Sequence, residues 1–237
     1  MFFSVYHESD AGVVLQSRPY GEFDALLTVF AEQHGRLGLL AKGVRRPRAK
    51  LAGILQPFCA VQLEWRPSSH ADGLCKLIRA EALNQGLTKY DPAFLFIAEV
   101  AGKLAQAGQG SGQFYRLLTD LATTHKPERA VLVFLVRALT IYGYFPEFRQ
   151  CPQCPDKFAA AGRWQPSGEI LCEAHSSAGT PLSFDEIKTL RFWQHAAFAD
   201  GEHVALDDAA QHKLLHHLIA VVETEVEITL KSKALVF

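Results

Sequence analysis

The chain has 237 residues, 49% of them hydrophobic, with a formal net charge of -1, which is enough length and apolar content for one large domain or two to three small ones. No apolar run approaches the roughly 18 residues that a membrane span requires, and the opening MFFSVYHESD lacks a basic n-region, an apolar h-region and a cleavage site, so a cytoplasmic protein without membrane contact is expected. Five cysteines, an odd number, exclude a disulfide framework and imply reduced thiols.

From Ala11 to Leu83 the pattern is short and β-like, with candidate strands over 12–16, 25–31, 37–42, 58–66 and 74–83. Turn signals separate them at Arg18-Pro19-Tyr20-Gly21, His34-Gly35 and Arg66-Pro67-Ser68-Ser69. Five short strands with a longer connection in the middle suit a small closed barrel of the oligonucleotide-binding (OB) type better than a sandwich. Cys59 and Cys75 are then core fillers, since small apolar thiols are usually buried and inert. The middle of this region is chemically distinct: Gln33 to Leu63 carries Arg36, Lys42, Arg45, Arg46, Arg48 and Lys50 and no Asp or Glu. Acids gather late, at Asp200, Glu202, Asp207, Asp208, Glu223, Glu225 and Glu227, so the near-zero total conceals a basic first quarter. A positive block that local acids do not offset is a candidate phosphate-tracking loop; the plain alternative is a solvated loop with no partner.

After Asn84, apolar residues recur at three- and four-residue spacing over 92–107, 113–123 and 127–142, which predicts helices. Asp91-Pro92 supplies a capping residue and a proline at the first helical position, and Gly143 ends the third helix. That third helix has little polar face and should be central to its domain, with Arg137 as a cation inside it that either snorkels, pairs with a late acid or serves a partner.

The strongest chemical signal is Cys151-Pro-Gln-Cys154 followed by Cys172-Glu-Ala-His175. Two such knuckles offer three thiolates and an imidazole, a complete tetrahedral zinc set with no position left open for substrate, which predicts one structural ion. Between them, 157–161 and 163–165 with Ser167-Gly168 read as a small ribbon too thin to fold alone, so metal binding would supply its folding energy. Ser183 with Glu186 forms a capping box for a helix over 183–198, and another helix runs from Asp208 to about Leu230, with a frayed tail after it. His212, His216 and His217 on that helix tempt a metal reading, but exposed helical histidines are common. The plan is α+β and multidomain: a barrel over 1–83, a helical domain in two pieces over 84–148 and 181–237, and a zinc-binding insert over 149–180.

No phosphate-binding G-x-x-x-x-G-K-S/T loop, dinucleotide G-x-G-x-x-G fingerprint or nucleophile elbow is present, and no catalytic Glu adjoins the zinc ligands, so a non-enzyme is expected. Val13-Val14-Leu15, Ser17-Arg18-Pro19-Tyr20-Gly21-Glu22, Asp24, Leu27, Phe30, Gly35-Arg36, Ala41-Lys42-Gly43 and Leu55-Gln56-Pro57-Phe58 resemble the N-terminal signature of the bacterial RecO family. The likeness continues through Phe134, Arg137, Leu139 and Gly143-Tyr144 into the knuckles, and beyond them only the texture matches. The resemblance implies an N-terminal OB barrel, a helical domain and a zinc insert, although zinc-bearing members often end the ligand set in cysteine where this chain has His175. It also implies a mediator of DNA repair and recombination in the nucleoid: a protein that binds single- and double-stranded DNA, anneals complementary strands, and helps load RecA onto strands coated by single-strand-binding protein, usually with RecR.

On that reading Arg18, Arg36, Lys42, Arg45, Arg46, Arg48 and Lys50 contact phosphates and Tyr20 offers a stacking platform, while Phe30, Phe58 and Trp65 belong to the core. Phe134, Arg137 and Ile141 are the candidate groove for the acidic, apolar tail of single-strand-binding protein. The competing classes are a zinc-ribbon adaptor that binds only proteins and, more distantly, a metal-dependent nuclease, for which no carboxylate cluster is visible.

Overall fold

The structure, a computed structural model, describes residues 6–68, 73–84, 91–124, 126–145, 148–154, 158 and 160–236. Its first part is a closed barrel of five strands in the order β1-β2-β3-β5-β4, the arrangement of an OB fold. These strands are β1 (Glu8–Tyr20), β2 (Asp24–Ala31), β3 (Gly35–Ala41), β4 (Ala60–Arg66) and β5 (Cys75–Ala82). β1 is long enough to serve two partners, pairing with β4 through its first half and with β2 through its second, and a bulge between Val14 and Gln16 lets it bend between them. β3 and β5 run parallel and close the barrel through Leu39↔Cys75 and Leu40↔Lys76.

Side chains alternate as a pleat requires, so Val14, Ala25, Leu27, Val29, Leu39, Val61, Leu63 and Trp65 fill the interior. Cys59 joins that core and Cys75 packs against it, as expected of structural thiols; burial pushes the Cys59 thiol up, away from reactivity. Val13, Leu15 and Phe30 face the other way and are buried too, because helices cover that wall. These are α1 (Pro92–Leu104), which Asp91 caps by accepting from the Ala93 N–H at 2.8 Å, and α2 (Gly112–Leu121), capped by Ser111. Phe114 meets Phe30 edge-on at 4.9 Å, and Phe94 meets Phe58 at 5.2 Å. Backbone approach adds to this joint: a Cβ on Gly35 would strike the Gln106 carbonyl, and one on Gly110 the carbonyl of Glu32. The first compact unit therefore runs from Met1 to Thr123, and α1 and α2, expected with the helical domain, group with the barrel.

The second unit spans Thr124–Phe237. At its centre is α3 (Pro127–Ile141), whose Ala130 to Val136 are all buried, and which stops before Gly143 at φ +78°. A three-stranded ribbon follows, with β6 (Gly162–Trp164) between β7 (Ile170–Cys172) and β8 (Thr180–Leu182). Of the ribbon expected over 157–161, residues 157 and 159 lie outside the described residues. Next come α4 (Phe184–His195), α5 (Phe198–Gly201) and α6 (Asp208–Glu225). The capping box before α4 is formed, with Glu186 Oε2 accepting from the Ser183 N–H at 2.7 Å. α6 ends five residues before the predicted Leu230, and the chain turns back rather than fraying: the Leu230 N–H and Lys233 Nζ both donate to Glu223, at 2.8 and 3.1 Å. Among the described residues no helix is long and apolar enough to cross a membrane.

Candidate nucleic-acid interface and metal centre

The basic connection from Lys42 to Cys59 is a chain of tight turns held at both surfaces. Beneath, Val44 and Leu55 enter the barrel core, with Leu51 and Ile54 packed against it. At the side it is fastened to the β1–β2 hairpin: the Gly43 N–H donates to Asp24 Oδ1 at 2.7 Å, the Arg45 N–H donates to the Phe23 carbonyl at 2.8 Å, and the Arg46 guanidinium lies over the Phe23 ring at 5.6 Å. Arg48 takes φ +65°, a turn conformation that costs a non-glycine residue some strain. With its apolar residues turned inward, the connection leaves Lys42, Arg45, Arg46, Arg48 and Lys50 exposed. No carboxylate among the described residues forms an ion pair with any of them.

Register adds Arg18 and Tyr20 to this end of the barrel. Tyr20 pairs with Asp24 and Ala25 pairs with Ala41, so the β1–β2 hairpin and Lys42 are neighbours, and Tyr20 is 52% exposed. Arg36 is the exception. It lies six residues along β3 from Lys42, about 20 Å at strand rise, and its guanidinium donates to the Gly102 carbonyl of α1 at 3.2 Å. Sequence reasoning grouped it with the others because it counts positions, whereas an extended strand carries each position about 3.3 Å further. Phe23 was missed, since a ring in a hairpin gives no local sign that a guanidinium will cover it.

Cys151, Cys154, Cys172 and His175 converge, their ligand atoms all within 4.8 Å of one another. His175 Nδ1 stands 3.1 Å from Cys154 Sγ, 3.2 Å from Cys172 Sγ and 3.7 Å from Cys151 Sγ, and the Cys154 and Cys172 sulfurs are 3.5 Å apart. Ligands about 2.0–2.3 Å from a tetrahedral zinc would be spaced about 3.5–3.8 Å from one another, so the four fit one metal ion, and Nδ1 is the nitrogen that faces it. Desolvation first, then hydrogen bonds and charge from Cys172 and Cys151, pushes the Cys154 thiol up to about 12. Turns set the geometry, with the Cys154 N–H donating to the Cys151 carbonyl and the His175 N–H to that of Cys172. The ribbon joins the helices through Phe145, Phe148 and Trp164, and Trp164 stacks on His217 of α6 at 5.4 Å. His217 is thus a packing residue, and among the described residues only the Cys3His group could hold a metal.

The expected groove residues on α3 are placed differently from one another. Phe134 is wholly buried and offers nothing to a partner, which corrects its assignment: it lies on the face of α3 turned into the core. Arg137 is half-buried and donates to the Ala196 carbonyl at the end of α4, 3.0 Å away, and Ile141 is half-buried. Ala196 also lines a groove of about 590 Å³ with Arg149, Phe184, Lys188, Arg191, Phe192 and His195. The sequence did carry a signal for it, because Phe184, Lys188, Arg191, Phe192 and His195 repeat at helical spacing on one face of α4.

The family models "Recombination protein O N terminal" and "Recombination protein O C terminal" match residues 6–85 and 93–234. The chain belongs to the RecO family. Proteins named DNA repair protein RecO resemble it over most of their length: that of Bifidobacterium adolescentis is 31% identical with 84% of each chain covered, and that of Nocardioides sp. is 30% identical with 86% of this chain and 87% of the relative covered. The RecO protein of Thermodesulfovibrio yellowstonii is 31% identical over 73% of this chain and 71% of its own. As a RecO-family member this is a DNA repair protein, and its Cys3His set is one that suits zinc.

Proposed function

We propose that this RecO-family chain is a non-enzymatic mediator of repair and recombination in the cytoplasm, associated with the nucleoid. It binds single- and double-stranded DNA, anneals complementary strands, and, with RecR, helps load RecA onto strands coated by single-strand-binding protein. The observation that carries the reading is the anchored basic loop: exposed cations free of carboxylates, held beside Arg18 and the exposed ring of Tyr20. Fixed cations attract phosphates without reading sequence, as a strand-handling protein requires. One zinc held by Cys151, Cys154, Cys172 and His175 keeps the ribbon folded. The coat protein's acidic, apolar tail is taken by the α4 groove, where Lys188, Arg191 and Arg149 meet its carboxylates and Phe192 its side chains, with Arg137 fixing the end of α4.

The test is DNA binding across a salt series. Replacing Arg45, Arg46 and Arg48 together with Ala should reduce the log-log slope by roughly 0.7–0.9 for each lost contact, on any DNA sequence. An unchanged slope in the folded triple variant removes the loop from the interface. A parent protein indifferent to DNA would instead favour the zinc-ribbon adaptor, and strand annealing with and without the coat protein separates the two.

A further inference from the structure

The four donors of the Cys3His cluster differ in what can reach them. Cys151 is 1% exposed, Cys154 and Cys172 are half-buried and His175 is exposed, so three of the four meet solvent. The Cys154 and Cys172 sulfurs, one from each knuckle, are 3.5 Å apart, and a small side-chain rotation brings such a pair to the bonding distance of about 2.05 Å. A sulfur must be a thiolate to react with an oxidant, and a bound zinc keeps its cysteine donors in that form at neutral pH. Solvent access and close approach thus coincide on these two sulfurs. The remaining thiols belong to the barrel, where Cys59 lies in the core and Cys75 packs against it.

We propose that Cys154 and Cys172 form an oxidation site for hydrogen peroxide, whose product is a disulfide that takes over the metal's task of tying the two knuckles together. The inference rests on the zinc reading above and adds a second, covalent state of the insert. One thiolate attacks a peroxide oxygen and expels hydroxide, leaving a sulfenic acid; the other attacks that sulfur and expels a second hydroxide as the S–S bond forms. Two electrons pass from the sulfurs to peroxide, and two protons from solvent turn both hydroxides into water. Cys151 and His175 alone cannot complete a tetrahedral set, so zinc is released. The choice of pair decides the consequence. A bond between Cys151 and Cys154 would stay within one turn and leave the knuckles unjoined, whereas a bond between Cys154 and Cys172 closes the loop over 155–171, which carries β6, and holds the knuckles together.

The full chain, loaded with zinc, is titrated with hydrogen peroxide while a chromogenic chelator follows zinc release; free thiols are then alkylated after denaturation and the cross-linked peptides mapped by mass spectrometry. The expected result is one zinc released for each disulfide, a link between Cys154 and Cys172, and alkylated Cys59, Cys75 and Cys151. Dithiothreitol with added zinc should restore the starting state. The oxidised protein should also melt above reduced protein stripped of zinc by a chelator, because the covalent tie replaces the metal one. A link through Cys151, sulfinic acid at Cys154 or Cys172 without a link, or thiols left intact in excess peroxide overturns the oxidation site while the zinc reading stands. An oxidised protein that melts no higher than the stripped one overturns the bond's role as a tie. Protein that purifies without zinc overturns the underlying reading itself and the exchange with it, so the two failures are distinguishable.

Discussion

The basic connection over 42–59 and the insert over 151–182 both have little regular structure, yet they are ordered by different means. The first borrows the barrel's core: Val44 and Leu55 are almost fully buried in it, and its cations remain at the surface. The second has strands of three residues each and a small core around Trp164, Ile170 and Leu182, and its thiols and imidazole are gathered at one point where a metal ion could tie them together. A connection that can reach an existing core keeps its chemistry free for ligands. One that cannot must use its chemistry to fold.

Removing a metal donor should show this contrast most strongly. Cys151→Ser is expected to abolish the bound metal, seen by elemental analysis, and to cost the second unit several kcal/mol of stability, while DNA affinity stays near the parent value. His175→Cys should keep the metal, since thiolate and imidazole both suit zinc. A protein that purifies without metal and melts identically with a chelator would break the comparison at once.

The converse change is Leu55→Ala, which leaves a cavity under the basic loop. A loss of about 2–5 kcal/mol from the first unit is expected by denaturant titration, together with weaker DNA binding and unchanged metal content. Stability close to the parent's would mean that the loop is not held by the core.

Arg137→Ala sharpens the picture within the second unit. It removes a charged hydrogen bond to the end of α4, worth about 1.5–3 kcal/mol, and should weaken binding of a carboxylate-ended peptide while DNA binding persists. Lys188→Ala with Arg191→Ala should lose the peptide without the loss of stability. Peptide binding retained in that double variant would place the tail elsewhere.

The smallest effect concerns pH. Burial first, then the charges of His216 and Lys213, lowers the His217 pKa below its ordinary 6.5. The unfolded chain therefore takes up the proton first, and the second unit should lose stability as pH falls through about 6.5 toward the folded value, with no such effect above it. Partial exposure keeps this under about 1 kcal/mol. His217→Phe should keep the Trp164 stack and flatten the dependence, measured as melting temperature against pH.

Much of this molecule was legible in its sequence because the signals were local. Ala25, Leu27 and Val29 alternate as a strand must, Asp91-Pro92 and Ser183 with Glu186 mark helix starts through bonds made within three residues, and the Cys-x-x-Cys and Cys-x-x-His spacings each bring two donors to one turn. The sequence alone thus determined the barrel's strands, the helices and the metal donors, since each depends on neighbours a few residues away. Tertiary structure decided everything that depends on distant partners. The consecutive burial of Val13, Val14 and Leu15 follows from helices covering one wall, and the separation of Arg36 from the basic loop follows from strand length. The return of the chain after α6 follows from a bond to Glu223, and the nearness of Arg18 to the basic loop exists only through register among β1, β2 and β3. Pairing register is set by which faces find a core, and a one-residue slip of β1 would turn Arg18 inward.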